Sequence, residues 1–423
     1  MIVMGGIVGS GIFINSYVVA RQVHTSALIL FAWVLGGIIA LAGAFIYAEL
    51  AACRPNLNGQ YAYIREAYHP AVAFVYGWAL LLVTQTGGMA AVAVTFARYF
   101  LEITHAPLAD WAVAVLALTA LTIINCMGVR AGSTTQNVLM VIKIVALVGL
   151  VACGLFLIGE PRASFHPVLD RPVSLNLLTA IGAAVVPVLF SYGGWQTASF
   201  MTAELRHPEE DLSRGLLIGV IAVIVFYITV NFVYVRGLGA DGLAATTTPA
   251  TAIVRQAFGE RGASLIAIAI AVSTLGFLSQ GMLTAPRVYY SMAEDGLFFK
   301  AVARVSPRTR VPSVAIALQG VFAVLIAISG RYEQILNYVV SVDFISFGLT
   351  ATCLFVFRRR PQQGPVAYRV PGHPFTTLFF VAACWLVVIN TVYTYPANSA
   401  IGMGIVAAGI PAYFFWSWRK RKA

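Results

Sequence analysis

The stretch Gly5-Gly6-Ile7-Val8-Gly9-Ser10-Gly11-Ile12-Phe13 decides the fold. It lies within an apolar run at roughly 1–20, and about 20 apolar residues cross a bilayer as one helix. Each glycine there weakens a helix by about 1 kcal/mol relative to alanine. A second stretch, Pro187-Val188-Leu189-Phe190-Ser191-Tyr192-Gly193-Gly194-Trp195, interrupts a later apolar run in the same way. The two breaks lie about 183 residues apart, from Gly11 to Gly194. Spans two and seven, and spans three and eight, keep nearly the same offset. Broken spans at matching positions point to an inverted repeat with a central binding site.

The rest of the chain fits a membrane setting. Of its 423 residues 60% are apolar and 10% charged, against about 45–50% and about 25% in soluble domains. Mean hydropathy is +0.84. This composition excludes disorder, a disulfide scaffold and an ordinary cytosolic enzyme, and predicts an all-α polytopic membrane protein. Apolar windows fall at roughly 1–20, 27–52, 70–100, 109–128, 135–158, 174–203, 214–236, 262–292, 312–329, 334–357, 375–395 and 398–418. The expectation is 12 transmembrane helices in one domain over residues 1–423. Residues 1–160 form the first repeat and 174–360 the second, with two additional C-terminal helices at 375–418.

Net charge is +11. Eighteen of the 27 basic residues fall in even-to-odd loops and the C-terminal tail, and eight in odd-to-even loops. The positive-inside rule then places both termini in the cytoplasm of a cell membrane, inner or plasma. The basic residues are explained by the bilayer, so no nucleic-acid partner is expected. The five cysteines, Cys53, Cys126, Cys153, Cys353 and Cys384, lie in or beside apolar spans without a CxxC pair and read as structural thiols. The chain opens inside an apolar stretch without a basic lead, which predicts no cleavable signal peptide.

Lipid cannot satisfy the amides and carbonyls that an unwound helix exposes. At Gly9-Ser10-Gly11 the freed N–H groups open a second half-helix and suit a carboxylate. The half-helix ending near Ile7 presents carbonyls, which suit an ammonium. Phe190 to Gly194 repeats the arrangement. Both charges on one carbon describe an α-amino acid. The competing reading of these glycines is close helix packing, since Gly5 and Gly9 have small-xxx-small spacing.

Lys143 is the lysine set well inside a span, about eight residues from its cytoplasmic end, or roughly 12 Å by helix rise. A charge at that depth is a functional hypothesis by default. Its ammonium can fill a cation site beside the first break in place of sodium, or couple transport to protons. A snorkelling lysine is the simpler alternative. Asp343 reads foremost as half of a structural pair, Glu49 as a solvated acid near the cytoplasmic face. Glu204 is equally a gate residue or a helix-end charge. Among Phe190, Tyr192 and Trp195, Phe190 is the candidate to lie over a ligand. No acid lies in either break, which argues against a cationic substrate. The six histidines fall in connectors, and no HExxH, DxD or nucleotide loop occurs, so neither a metal, another cofactor nor catalysis is expected.

Gly6-Ile7-Val8-Gly9-Ser10-Gly11-Ile12-Phe13 resembles the first-span signature of the amino acid–polyamine–organocation (APC) superfamily. Ala48-Glu49-Leu50, Gly59-Gln60-Tyr61 and Ile64-Arg65-Glu66-Ala67-Tyr68 are similar to its second-to-third-span region. Phe190 to Trp195, Ala203-Glu204-Leu205-Arg206-His207-Pro208, Met292-Ala293-Glu294-Asp295-Gly296-Leu297 and Tyr368 to Pro374 resemble the L-type amino acid transporter (LAT) branch. The resemblance implies a LeuT-like 5+5 inverted repeat with helices 1 and 6 broken. It implies sodium-independent exchange of neutral amino acids. The substrate carboxylate would meet the amides of Ser10 and Gly11, and the ammonium the carbonyls of Ile7, Phe190 and Gly193. Phe190 would be the occluding aromatic, Lys143 would stand at the sodium position, and Gly194 would border the side-chain pocket. A proton-coupled symporter of cationic amino acids or polyamines, and a non-transporting amino-acid sensor, remain alternatives. No accessory subunit is legible. Members usually carry more chain ahead of the glycine run, so the expectation here is a start assigned late or a truncated chain. The segment after His207 is also more acidic than the usual basic loop.

Overall fold

The computed structural model describes residues 2–54, 59–128, 133–159, 162–196, 208–306, 309, 311–329, 331–360 and 367–422. Among these no strand occurs. In chain order the helices are α1 (Ile2–Ile7), α2 (Gly11–Gln22), α3 (Ser26–Cys53), α4 (Gly59–Ala67) and α5 (Pro70–Ala79). A π-helical turn, Leu80–Thr84, leads into α6 (Gln85–Thr104), followed by α7 (Asp110–Cys126), α8 (Ser133–Ala152) and α9 (Leu175–Tyr192). Next come α10 (Pro208–Ala245), α11 (Pro249–Thr284), α12 (Pro286–Glu294), α13 (Ser313–Ser329), α14 (Tyr332–Arg359), α15 (Phe375–Thr394) and α16 (Pro396–Lys422).

Nine described segments are long and apolar enough to cross a membrane, and α7 and α13 are shorter apolar helices. The protein is a polytopic helical membrane protein. Leu116, Val145, Phe156, Leu265, Leu386 and Phe414 are exposed on its flanks. Such surface suits hydrocarbon and is uncommon on a soluble protein. Positive φ at Gly239 (70°) and Gly259 (64°) bends α10 and α11, in a region of backbone space that favours glycine.

At the centre α2 packs against α9, α10 and α11. It is buried on every side from Gly11 to Ala20, as a helix enclosed by other helices must be. Its polar residues are therefore paired inside the bundle. Asn15 Nδ2 donates to Pro187 O at 2.9 Å and to Ser191 Oγ at 2.8 Å. Asn15 Oδ1 accepts from the Tyr332 hydroxyl at 2.8 Å, and Ser16 Oγ donates to Asn231 Oδ1 at 2.7 Å. These bonds fix α2 to α9, α14 and α10. At its far end the Tyr17 hydroxyl donates to Glu333 and accepts from Arg98, each at 2.7 Å.

Glu49 departs from its expected solvated state, being only 1% exposed. Arg358 Nε and Nη2 each donate to its carboxylate at 2.7 Å, and the Val370 amide donates at 2.6 Å. A two-point guanidinium contact plus an amide compensates the lost hydration. This group joins α3, α14 and the strap before α15. Glu204 and the run from Ala203 to His207 lie outside the described residues.

Candidate functional site

The first helix is broken where the glycines predict. α1 ends at Ile7, where the Gly9 amide turns back to Ile7 O at 2.7 Å. Ser10 caps α2, but its side chain makes no capping bond. The Gly11 and Ile12 amides thus lack an intrahelical acceptor, while Phe13 N reaches Ser10 O at 3.1 Å. Ser10 Oγ is itself buried without a partner. The freed carbonyls of α1 are partly met from within: the Tyr227 hydroxyl donates to Ile7 O at 3.2 Å, and Lys143 Nζ to Val8 O at 2.9 Å.

Lys143 is 5% exposed. Its ammonium also stands 5.2 Å from the centroid of the Phe277 ring, over its face. It turns inward to the break, so it is no snorkelling side chain. Phe277 packs close to Gly9, where an added Cβ would meet the ring at 3.2 Å. Gly9 therefore serves packing as well as the break, whereas Gly5 is open to within 4.0 Å of Met140 Sδ.

The second break lies directly against the first. α9 ends at Tyr192, and Gly193 N donates to Phe190 O at 3.2 Å. Gly194 follows with φ of 101°. A Cβ there would collide with Gly6 O, and one at Gly11 would meet Ser191 Cα at 2.7 Å. Only hydrogen at these two positions allows the backbones of the two breaks to approach so closely. Pro187 inside α9 offers no N–H to the preceding turn.

A cavity of about 130 Å³ opens between the breaks. Its wall contains Ile7, Ser10, Gly11, Phe190, Gly193 and Gly194, all the residues singled out for substrate. Of the three aromatics at the second break, Phe190 faces this cavity. Tyr192 instead donates to Trp33 O, and Trp195 stacks on Phe347 with centroids 5.4 Å apart. Lys143 sits behind Phe277 rather than in the wall.

Sequence reasoning missed the rest of the wall. Thr84, Gln85, Gly88 and Met89 come from the π turn and the start of α6. Phe277, Gln280, Gly281 and Thr284 come from α11, and Val339, Val340, Asp343, Phe344 and Phe347 from α14. The polar run Thr84-Gln85-Thr86-Gly87-Gly88 in mid-span was the available signal. Asp343 corrects its expected structural pairing: its side chain makes no hydrogen bond or ion pair among the described residues, and it lines the cavity instead. It also brings an acid to the cavity from outside the breaks, so their lack of acids says little about substrate charge. Among the described residues no group of three His, Cys, Asp or Glu is placed to hold a metal ion.

An amino acid permease family model matches residues 1–416. The chain belongs to the amino acid permease family. This permease is a transporter of the APC superfamily, similar to its LAT-type members, and not an enzyme. It is 29% identical to the serine/threonine exchanger of Bacillus subtilis (strain 168), over 100% of this chain and 95% of that protein. It is 26% identical to the large neutral amino acids transporter small subunit 2 of Mus musculus, over 100% of this chain and 80% of that one. With the b(0,+)-type amino acid transporter 1 of Homo sapiens it shares 28% identity, over 87% and 78%.

Proposed function

We propose that this permease exchanges neutral amino acids across a cell membrane by alternating access, without sodium. The carrying observation is the cavity walled by the backbones of two broken helices. In this reading the substrate carboxylate meets the Ser10 and Gly11 amides at the positive end of α2. The ammonium meets the carbonyls of Ile7, Phe190 and Gly193, with Gly194 bordering the side chain. Phe190 closes the cavity on its outer side. Lys143 supplies a fixed positive charge at the α1 carbonyls, which replaces a sodium ion.

The matched breaks support a LeuT-like pair of five-helix repeats. Counting the broken first helix and the two shorter helices with the nine apolar segments gives twelve spans. Both termini then lie in the cytoplasm. Two relatives support amino acid exchange and neutral substrates by name: a serine/threonine exchanger and a large neutral amino acids transporter small subunit.

The test is uptake of labelled amino acid into proteoliposomes. Uptake should accelerate when unlabelled amino acid is loaded inside, and replacing sodium by choline should change nothing. Equal rates with empty and loaded vesicles would exclude exchange. One observation favours a second reading, a proton-coupled carrier of cationic amino acids or polyamines: the Asp343 carboxylate in the wall. Accumulation driven by an imposed pH gradient into empty vesicles would select it.

A further inference from the structure

We propose that Asp343 selects the substrate by its side chain, accepting a hydrogen bond from a side-chain donor: a hydroxyl, an amide N–H or an ammonium. The inference rests on the transport reading above and names the substrate class for the same cavity.

Asp343 lies near the middle of the 28-residue α14 and lines the cavity that Ser10 and Gly11 also line. A carboxylate at such depth is costly unless something meets it. Three other acids on the apolar segments are met. Glu49 has Arg358, Glu102 has Arg255 and Thr248, and Glu333 has Tyr17. Alone of these, the Asp343 side chain takes no hydrogen bond or ion pair among the described residues, with the Tyr76 hydroxyl within electrostatic reach of it. Its helical neighbours Val339, Val340 and Phe347 are apolar and also face the cavity, and Ser346 on the next turn spends its hydroxyl on Val342 O at 3.1 Å.

The wall carries further unused polar capacity away from the breaks, with Thr84 Oγ1 buried and unpartnered. The backbone of the breaks serves the carboxylate and ammonium common to all amino acids. A separate acceptor on α14 is therefore left for the part that differs between them. A site built to bond a donor rejects the isostere that lacks it, because its own polar group then stays buried and unpaired.

The experiment compares isosteric competitors in exchange by the full chain in proteoliposomes: threonine against valine, asparagine against leucine, and lysine against norleucine. The wild type should prefer the donor in at least one pair by about tenfold. Asp343→Leu should erase that preference. Asp343→Asn keeps a neutral acceptor, so it should hold a preference for hydroxyl or amide within about threefold and lose one for ammonium by tenfold or more. Thermal stabilisation of the purified wild type by the same pairs gives a readout that needs no variant. Absence of preference in every wild-type pair overturns the inference, as does a preference that survives Asp343→Leu. A loss equal across all amino acids overturns it too, since a proton carrier or a structural acid would behave that way. In each case the transport reading stands. A wild type that exchanges no amino acid instead removes the transport reading.

Discussion

The ammonium of Lys143 donates to the carbonyl oxygen of Val8 across 2.9 Å, so a lysine of α8 closes the end of the first half-helix. A carbonyl freed by unwinding and a charge buried in a span would each be costly alone. Each is the other's partner here. Replacing Lys143 with methionine should keep the volume and leave Val8 O unmet. Counterflow should fall by about tenfold or more, from the cost of a buried unpaired acceptor. An initial rate within twofold of wild type would remove the coupling role.

Gly194→Ala tests the contact between the breaks. Its φ of 101° and the collision of an added Cβ with Gly6 O leave no room for a methyl group. Transport should be lost, and the purified variant should unfold at lower temperature. Gly88→Ala is the comparison, because a Cβ there meets nothing within 4 Å although the residue lines the same cavity. It should fold as the wild type does.

Arg358→Ala should destabilise the protein by about 3 kcal/mol, the lower end for breaking a buried pair, because the guanidinium is partly exposed. The Glu49 carboxylate would keep only the Val370 amide. Thermal unfolding in detergent measures this. The double variant Glu49→Leu with Arg358→Leu should recover part of the loss, since no buried charge remains. A double variant as unstable as the sum of the singles would contradict the pairing.

Phe190→Ala tests closure. The ring faces the cavity and is only half-buried. Without it, uptake into vesicles lacking internal amino acid should rise relative to exchange, because the path is no longer blocked between turnovers. Retention of the wild-type ratio would remove the gate.

Both breaks were legible in the sequence because glycine and proline act locally, on the helix that holds them. The same reasoning singled out Ser10, Gly11 and Phe190, which line the cavity, while the depth of its charge singled out Lys143, which meets Val8 O behind it. Such reasoning missed Gln85 and Gln280 and misread Asp343, because their place in the wall depends on how α6, α11 and α14 rotate about their axes. A single span does not record that rotation. Glu49 was misread for a related reason. Its partner Arg358 lies 309 residues away and the strap carrying Val370 is irregular chain, so neither leaves a periodic mark. The paired acids and the unpaired Asp343 look alike as letters.

The π turn at Leu80–Thr84 has a consequence for how this wall is assembled. Its wider winding accommodates one residue more than an α-helix would over the same rise. Removing one residue there would return the turn to α winding while α5 and α6 keep close to their present mutual phase. The surplus residue is thus slack that the span can lose, whereas a one-letter deletion within regular α6 would turn Gln85 by about 100° relative to the helix beyond the deletion and take it off the wall.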